Sequence, residues 1–161
     1  MKFKTTFEKT ECEKIREALG EWVAENDFNL FGTATYINAH TITRRKAHTD
    51  AAHFMRLLSR KVLGKHKVDR EKIYLPALVF VEKGKNRDRT HIHWFTKGYT
   101  LKHTKDIIVN ADRLWKAKIE KAMDVMILDE VEAQRRTYTI KEQQAFDAEI
   151  ISPKACYLTL S

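Results

Sequence analysis

The sequence predicts an α+β fold in which an antiparallel β-sheet is backed by helices, on the ferredoxin-like plan. The first observation is the order of the patterns, because strand, helix, strand, strand, helix and strand signals follow one another after an opening helix. The second is the composition: 43% hydrophobic residues with only 5 Gly and 2 Pro indicate a compact chain without a low-complexity linker. At 161 residues, we expect a single domain with one core over residues 1–161.

The opening helix and the first strand are predicted from capping and periodicity. Thr10 and Glu13 have the spacing of a capping box, which favours a helix from about Glu11 to Glu25. Its apolar residues recur at helical intervals and are expected to form the face that packs on the domain: Ile15, Ala18, Leu19, Trp22 and Val23. The stretch from Leu30 to Ile37 is apolar on both faces and is predicted to be a central strand covered by helices.

Two further helices are predicted on either side of a hairpin. One begins at Thr49 or Asp50 and ends at Gly64. Its inward residues are Phe54, Leu57, Leu58 and Val62. The other is capped by Thr104. Its inward residues are Ile107, Ile108, Ala111, Leu114, Trp115, Ile119 and Ala122. Strands are then predicted from Asp124 to Val131 and from Arg136 to Ile140.

The hairpin between these helices carries the strongest chemical signal. His91 and His93 alternate with apolar residues, so on a strand both imidazoles project from the same face. The preceding run, Tyr74 to Val81, ends in Glu82, which a hairpin can bring to the histidines, although strand parity is not readable from the sequence. Two imidazoles and a carboxylate would form a metal site with open positions. The alternative is a pair of surface or packed histidines.

Known sites with two histidines on a strand narrow the choice. A cupin would place a glutamate a few residues after the pair, and the segment from Trp94 to Thr100 contains none. An amidohydrolase barrel needs far more chain than 161 residues.

Three motifs in order resemble those of the HUH endonucleases, most closely the rolling-circle replication initiators of plasmids and phages. They are Phe31-Gly32-Thr33-Ala34-Thr35-Tyr36, His91-Ile92-His93 and a late tyrosine. The resemblance implies that the first motif frames the site, and we assign no catalytic role to Thr33 or Thr35. It also implies that His91, His93 and Glu82 hold a divalent metal, with Mn or Mg as the working ion, although the set would also bind Zn in vitro.

The third motif is a departure from the family pattern. The resemblance implies a helix carrying Tyr-x-x-Lys, in which the tyrosine attacks a DNA phosphate and forms a 5′-phosphotyrosine and a free 3′-hydroxyl. Tyr157 occupies the tyrosine position, but Leu160 stands where the lysine is expected. Lys154, one helical turn before Tyr157, is the predicted substitute. Tyr138 is the alternative nucleophile, predicted to pack on a strand edge. We expect the natural chain to continue after Ser161.

The charge of the chain favours a polyanionic partner. Lys and Arg total 30 against 22 Asp and Glu, a formal net charge of +8. Basic residues gather in or beside predicted loops and are the predicted DNA contacts: Arg44, Arg45, Lys46, Lys83, Lys85, Arg87 and Arg89. The resemblance implies single-stranded DNA at an origin or hairpin as the substrate, with a host helicase and polymerase as further partners. Unpaired bases could stack on exposed aromatics such as Tyr99, although packing in the core is the default expectation for Tyr99.

The remaining features concern location and the competing functions. No apolar run reaches the length of a membrane span and the first residues are too charged for a signal peptide, which predicts a cytoplasmic protein without membrane contact. Cys12 and Cys156 form no disulfide or zinc spacing. Besides the replication initiator, three functions stay open: a single-strand transposase of the same chemistry, a catalytically impaired DNA-binding module, and a metal-dependent hydrolase without a nucleic-acid role.

Overall fold

A computed structural model describes residues 25–83 and 89–128, together with Lys14, Ala18, Glu21, Ser152, Lys154, Cys156 and Tyr157. The chain divides into two compact units, one comprising Met1–Asp27 with Glu132–Asp147 and the other Phe28–Val131 with Ala148–Ser161. The prediction of a single domain over the whole chain stays a prediction.

In the first unit, the described residues of the opening segment are helical and exposed: Lys14, Ala18, Glu21 and Glu25. Their spacing places them on one helical face. Ala18 was predicted to face inward, but it shares the exposed face with three charged residues, so that prediction is wrong.

The second unit contains a four-stranded antiparallel sheet. Its elements follow in the order β1 (Leu30–Tyr36), a 3-10 turn (Ala39–Thr41), α1 (Arg44–Leu63), α2 (Lys65–Asp69), β2 (Ala77–Lys83), β3 (Thr90–Thr96), α3 (Leu101–Lys118) and β4 (Ala122–Leu128). The strands lie in the order β2-β3-β1-β4, and every neighbouring pair is antiparallel. Apart from the 3-10 turn and the short additional helix α2, the order is strand, helix, strand, strand, helix and strand, as in the ferredoxin-like plan, which confirms the predicted α+β fold class.

The core lies between one face of the sheet and the long helices. Trp94 on β3 is fully buried there, and its ring makes an edge contact with the ring of Phe54 on α1, with the ring centroids 5.2 Å apart. Phe54 in turn meets Trp115 of α3 at 5.3 Å, and the Trp115 indole donates to the carbonyl of Thr35 at 2.9 Å. Each such aromatic side chain contributes about 1.5–3 kcal/mol by leaving water, which fixes both helices on this face. Since side chains alternate along a strand, the other face presents different residues of the same strands.

Helix α1 begins earlier than predicted. Thr43 is the N-cap, and its hydroxyl accepts a hydrogen bond from the amide of Lys46 at 3.1 Å. Asp50 is buried within the helix instead of capping it, because its carboxylate accepts bonds from the Tyr36 hydroxyl and the Lys46 ammonium, each at 3.1 Å. The predicted end is confirmed: Gly64 is the C-cap, with a φ of 97° that favours glycine.

Helix α3 also begins one turn before the predicted cap. The Thr100 hydroxyl accepts from the amide of His103 at 3.1 Å, whereas Thr104 lies inside the helix and donates to the carbonyl of Thr100. Of the residues predicted to face inward, Ile108 is exposed, and Ala122 belongs to β4.

The last predicted strands have different outcomes. The strand predicted from Asp124 to Val131 is observed as β4, Ala122–Leu128, so it begins earlier. The strand predicted from Arg136 to Ile140 lies outside the described residues. None of the described helices combines the length and apolar content that crossing a membrane requires.

Candidate metal centre

The register of β2 and β3 brings the two histidines and the glutamate together. Glu82 on β2 lies directly opposite His91 on β3, and Phe80 lies opposite His93. Because alternate residues share a face, all three predicted ligands point away from the helix-covered core, while Ile92 between the histidines is buried in it. The predicted contact between Glu82 and the two histidines is therefore present, although the sequence does not show which strand pairing would produce it.

The three side chains converge on one point. The Glu82 carboxylate oxygen Oε2 lies 2.9 Å from His93 Nε2 and 3.5 Å from His91 Nε2. One ligand atom from each residue lies within 4.8 Å of the other two. The imidazole rings are 5.0 Å apart and nearly perpendicular, at 81°. The site is partly open, since His91 keeps 25% of its side chain exposed against 13% for His93 and 12% for Glu82.

The electrostatics of the site keep Glu82 ionised. Burial raises the pKa of its carboxyl, but hydrogen bonds from His91 and His93 and their positive charge outweigh that effect and lower the pKa to about 2. At neutral pH the residue is therefore a carboxylate, the form that binds a metal ion.

Residues on β1 hold the ring of His93 from its other side. Thr33 lies opposite His93 in the register of β1 and β3, and Thr33 Oγ1 is 2.9 Å from His93 Nδ1. The Phe31 ring stacks on the imidazole with centroids 5.5 Å apart and planes 17° apart. Thr33 and Phe31 were not predicted to contact a ligand, because such contacts depend on the pairing of β1 with β3. The only available signal was their two-residue spacing, which places both on one strand face.

The donor set fits a divalent cation. Two imidazole nitrogens and a carboxylate oxygen, on stiff neighbouring strands, can hold a metal ion and leave coordination positions open for water or a substrate oxygen. Such a set accepts Zn, Mn or Mg, and the geometry does not select one of them.

The predicted nucleophile lies elsewhere. Tyr157 forms an isolated antiparallel bridge with Ala77, in which the Ala77 amide donates to the Tyr157 carbonyl at 2.8 Å and the Tyr157 amide donates back at 3.0 Å. Its ring stacks on Tyr74 at 4.1 Å and packs against the core cluster on the helix side of the sheet. Glu82 is five residues further along β2, about 16 Å at 3.3 Å per residue, and faces the other side.

The prediction of a helix at Tyr157 is therefore wrong, because the antiparallel bridge to Ala77 holds this residue in an extended conformation. Burial raises the pKa of the Tyr157 phenol, which opposes its ionisation in this position. Lys154, the predicted substitute for the missing lysine, lies exposed in a turn rather than on a helix. Tyr138 is outside the described residues.

Most of the described basic residues of the predicted DNA contact surface lie at the metal end of the sheet. The Thr90 hydroxyl at the start of β3 donates to the carbonyl of Ile42 at 2.9 Å, which ties the beginning of α1 to this end. Arg45 in the first turn of α1 is exposed, as are Lys83 and Arg89 on the two arms of the hairpin. Arg44 and Lys46 share the first turn of α1 and are half-buried, while Lys85 and Arg87 lie outside the described residues.

Lys46, a predicted DNA contact, and Tyr99, whose default expectation was core packing, both make intramolecular contacts, and Tyr99 is exposed instead of packed in the core. Lys46 pairs with Asp50 at 3.1 Å and reaches Glu120 at 3.9 Å, so its charge is partly neutralised within the protein. Tyr99, 49% exposed, is accessible enough to stack on a base, and its hydroxyl donates to the carbonyl of Tyr74 at 3.4 Å.

Comparison with protein-family models, with curated proteins and with solved structures finds no match for this chain.

Proposed function

We propose that the chain is a metal-dependent endonuclease that nicks and joins single-stranded DNA at a replication origin. The observation that carries the proposal is the convergence of Glu82, His91 and His93 on one point of a partly open site. The exposed cations on Arg45, Lys83 and Arg89, at the same end of the sheet, would attract a phosphate backbone.

The proposed reaction is a transesterification at phosphorus. A tyrosine oxygen forms a bond to the phosphorus, the bond from phosphorus to the 3′ oxygen breaks, and that oxygen takes a proton to become a free 3′-hydroxyl. The phosphotyrosine ester retains the free energy of the broken phosphodiester bond. Attack by a 3′-hydroxyl on this ester therefore rejoins the strand without ATP. A divalent ion between the three ligands would supply Lewis-acid stabilisation of the charge on the phosphate. Glu82, His91 and His93 would hold it, and the basic residues would orient the strand.

Two tyrosines are candidates for the nucleophile. Tyr157 reaches the three ligands only if its bridge to Ala77 opens, which breaks two backbone hydrogen bonds and the stack on Tyr74. A bound DNA strand would have to compensate for that loss. Tyr138 is the alternative, and an adduct identifies which residue reacts.

The test is the formation of a covalent adduct. The protein is incubated with a pool of single-stranded oligonucleotides and Mn²⁺, and denaturing gels with mass analysis report protein joined to DNA. Tyr157→Phe and Tyr138→Phe are run in parallel, with Tyr99→Phe as a control that removes an exposed phenol. We expect an adduct that one of the first two variants abolishes and the control retains. Cleavage that leaves no adduct with any oligonucleotide would contradict the tyrosine mechanism.

The metal ligands are tested in the same assay. We expect His91→Ala and His93→Ala to abolish the adduct while keeping most of the DNA affinity, because phosphate contacts elsewhere supply most of the binding. Wild-type cutting by either variant would overturn the metal assignment.

A DNA-binding module without catalysis is the second candidate. The position of Tyr157 favours it, since the phenol lies on the helix side of the sheet, away from the three ligands. Binding of single-stranded DNA without any adduct or cleavage, under conditions in which the protein also binds Mn²⁺, would select this function.

A further inference from the structure

We propose that Thr33 is a positioning residue for the metal centre: its hydroxyl orients the ring of His93 so that Nε2 is the nitrogen offered to the ion. The inference rests on the proposed metal centre and adds a role for β1, which contributes none of the three ligands. It also reassigns Thr33, which the sequence predicts to be an ordinary strand residue.

The geometry places one partner at each nitrogen of the ring. His93 Nε2 is 2.9 Å from the Glu82 carboxylate, and Nδ1 is 2.9 Å from Thr33 Oγ1. A neutral imidazole carries one proton, so Nε2 has a lone pair for a metal only when the proton is on Nδ1. With an ion on Nε2, the proton lies on Nδ1, and the Thr33 hydroxyl is within hydrogen-bond distance to accept it. Without an ion, Nε2–H donates to Glu82 and the same hydroxyl can donate to Nδ1, so the ring keeps one orientation in both states.

A second residue of β1 restricts the same ring. Phe31 stacks on His93 at 5.5 Å, nearly parallel, and both Phe31 and Thr33 project from the face that carries the ligands. The stack limits the tilt of the ring, and the hydrogen bond opposes its flip about the Cβ–Cγ bond. His93 is therefore held from β1 and β2 together.

His91 provides a contrast within the same site. Among the described residues, the only hydrogen-bonding or charged partner found for its ring is Glu82, and its side chain is more exposed than that of His93. Loss of the Thr33 hydroxyl should therefore remove a hydrogen bond from one imidazole and leave the other as it was.

The test compares three variants of β1. Thr33→Val keeps the shape and β-branching of the side chain but removes the hydroxyl, and Thr33→Ser keeps the hydroxyl. Thr35→Val is the matched control, because Thr35 is two residues along on the same face and, within the described part of the chain, its hydroxyl bonds only the β4 backbone at Asp124. Co²⁺ affinity is measured from visible absorption, with Mn²⁺ competition, and thermal unfolding checks that each variant is folded.

We expect Thr33→Val to weaken Co²⁺ binding by about 10–100-fold, the usual effect of losing a partner that orients a metal ligand. Thr33→Ser should restore most of the affinity, and Thr35→Val should match the wild type. Wild-type affinity in folded Thr33→Val overturns the proposal. So does a Thr33→Ser variant as weak as Thr33→Val, because that result assigns the effect to packing.

A second measurement separates this proposal from the proposed function. Long-range ¹H–¹⁵N correlations of the metal-free protein, at one fixed alkaline pH, report which nitrogen of each imidazole is protonated. We expect the proton of His93 on Nε2, which faces the Glu82 carboxylate, and a lone pair on Nδ1 that accepts a hydrogen bond from the Thr33 hydroxyl. Thr33→Val should shift the Nδ1 resonance of His93 and leave His91 unchanged. If the wild type binds no ion, the metal centre fails, yet this pattern still supports the orienting bond. An unaltered His93 pattern in Thr33→Val overturns it.

Discussion

Glu82 sits where protons and a metal ion compete for the same atoms. Its carboxylate faces both Nε2 nitrogens, so in the metal-free protein these nitrogens donate hydrogen bonds to it, and a bound ion would replace their protons. The hydrogen bonds that lower its pKa also bring the three ligand atoms together before any ion arrives. The site is thus preorganised by an interaction that stabilises the empty protein.

The first prediction concerns the stability of the metal-free protein against pH. The folded-state pKa of Glu82, about 2, lies below its ordinary value of 4.5, so the ionised carboxylate stabilises the fold above that value. This contribution is lost as the pH falls from 4.5 towards about 2, where the carboxyl is protonated in both states. Glu82→Gln lacks it. The difference in free energy of unfolding between wild type and Glu82→Gln should therefore shrink over this range.

Urea titrations of both proteins in chelator, at several pH values from about 5 downwards, measure that difference. His91 and His93, the groups facing the carboxyl, are present in both proteins, so the comparison isolates Glu82. A difference that stays constant or grows with acidification would show that Glu82 does not have the lowered pKa.

At the scale of elements, β1 supports the candidate site, although the three candidate ligands lie on β2 and β3. Phe31 and Thr33 contact His93 on one face, and Gly32 between them lies opposite Trp94 on the other. A methyl group at Gly32 would overlap the six-membered ring of that tryptophan. The absence of a side chain thus lets Trp94 fill the core, while its neighbours hold the metal ligand.

We accordingly expect Gly32→Ala to destabilise the protein by at least about 1–3 kcal/mol, the cost of forcing an extra carbon into a packed core. The overlap is with a rigid, fully buried ring, so the strand or the indole must shift. Denaturant unfolding measures the loss, with Thr35→Ala as the control on the same strand. A Gly32→Ala protein as stable as the control would show that Trp94 can move without cost.

The elements that the sequence predicts well are those that depend on local sequence patterns. The strand from Leu30 follows from a run that is apolar on both faces, and the hairpin with its two histidines follows from alternation and a polar loop; both are present. Predictions of helix starts are wrong where several residues could cap the helix. Thr43 caps α1, whereas Asp50 lies in the core and accepts a hydrogen bond from Tyr36. The contact of Thr33 with His93 and the bridge of Tyr157 to Ala77 join residues distant in the sequence, so no local pattern encodes them.

At the scale of the whole molecule, position matters more than the sum of the charges. The chain carries a formal net charge of +8, but a surplus alone does not say where a polyanion binds. The start of α1 is tied to the start of β3, so exposed Arg45 lies at the same end of the sheet as the three ligands. Exposed Lys105, in the first turns of α3, follows the other end of β3.

This arrangement predicts how salt weakens DNA binding. Each phosphate neutralised on a single strand contributes about 0.7 to the slope of log affinity against log salt. Arg45→Ala should lower affinity for a random single-stranded oligonucleotide and reduce the slope by about that amount. Lys105→Ala, which removes the same charge at the far end, should leave the slope unchanged. Anisotropy titrations at several salt concentrations measure both variants. Equal reductions would mean that DNA responds to net charge alone, and the proposed path past the metal centre would be wrong.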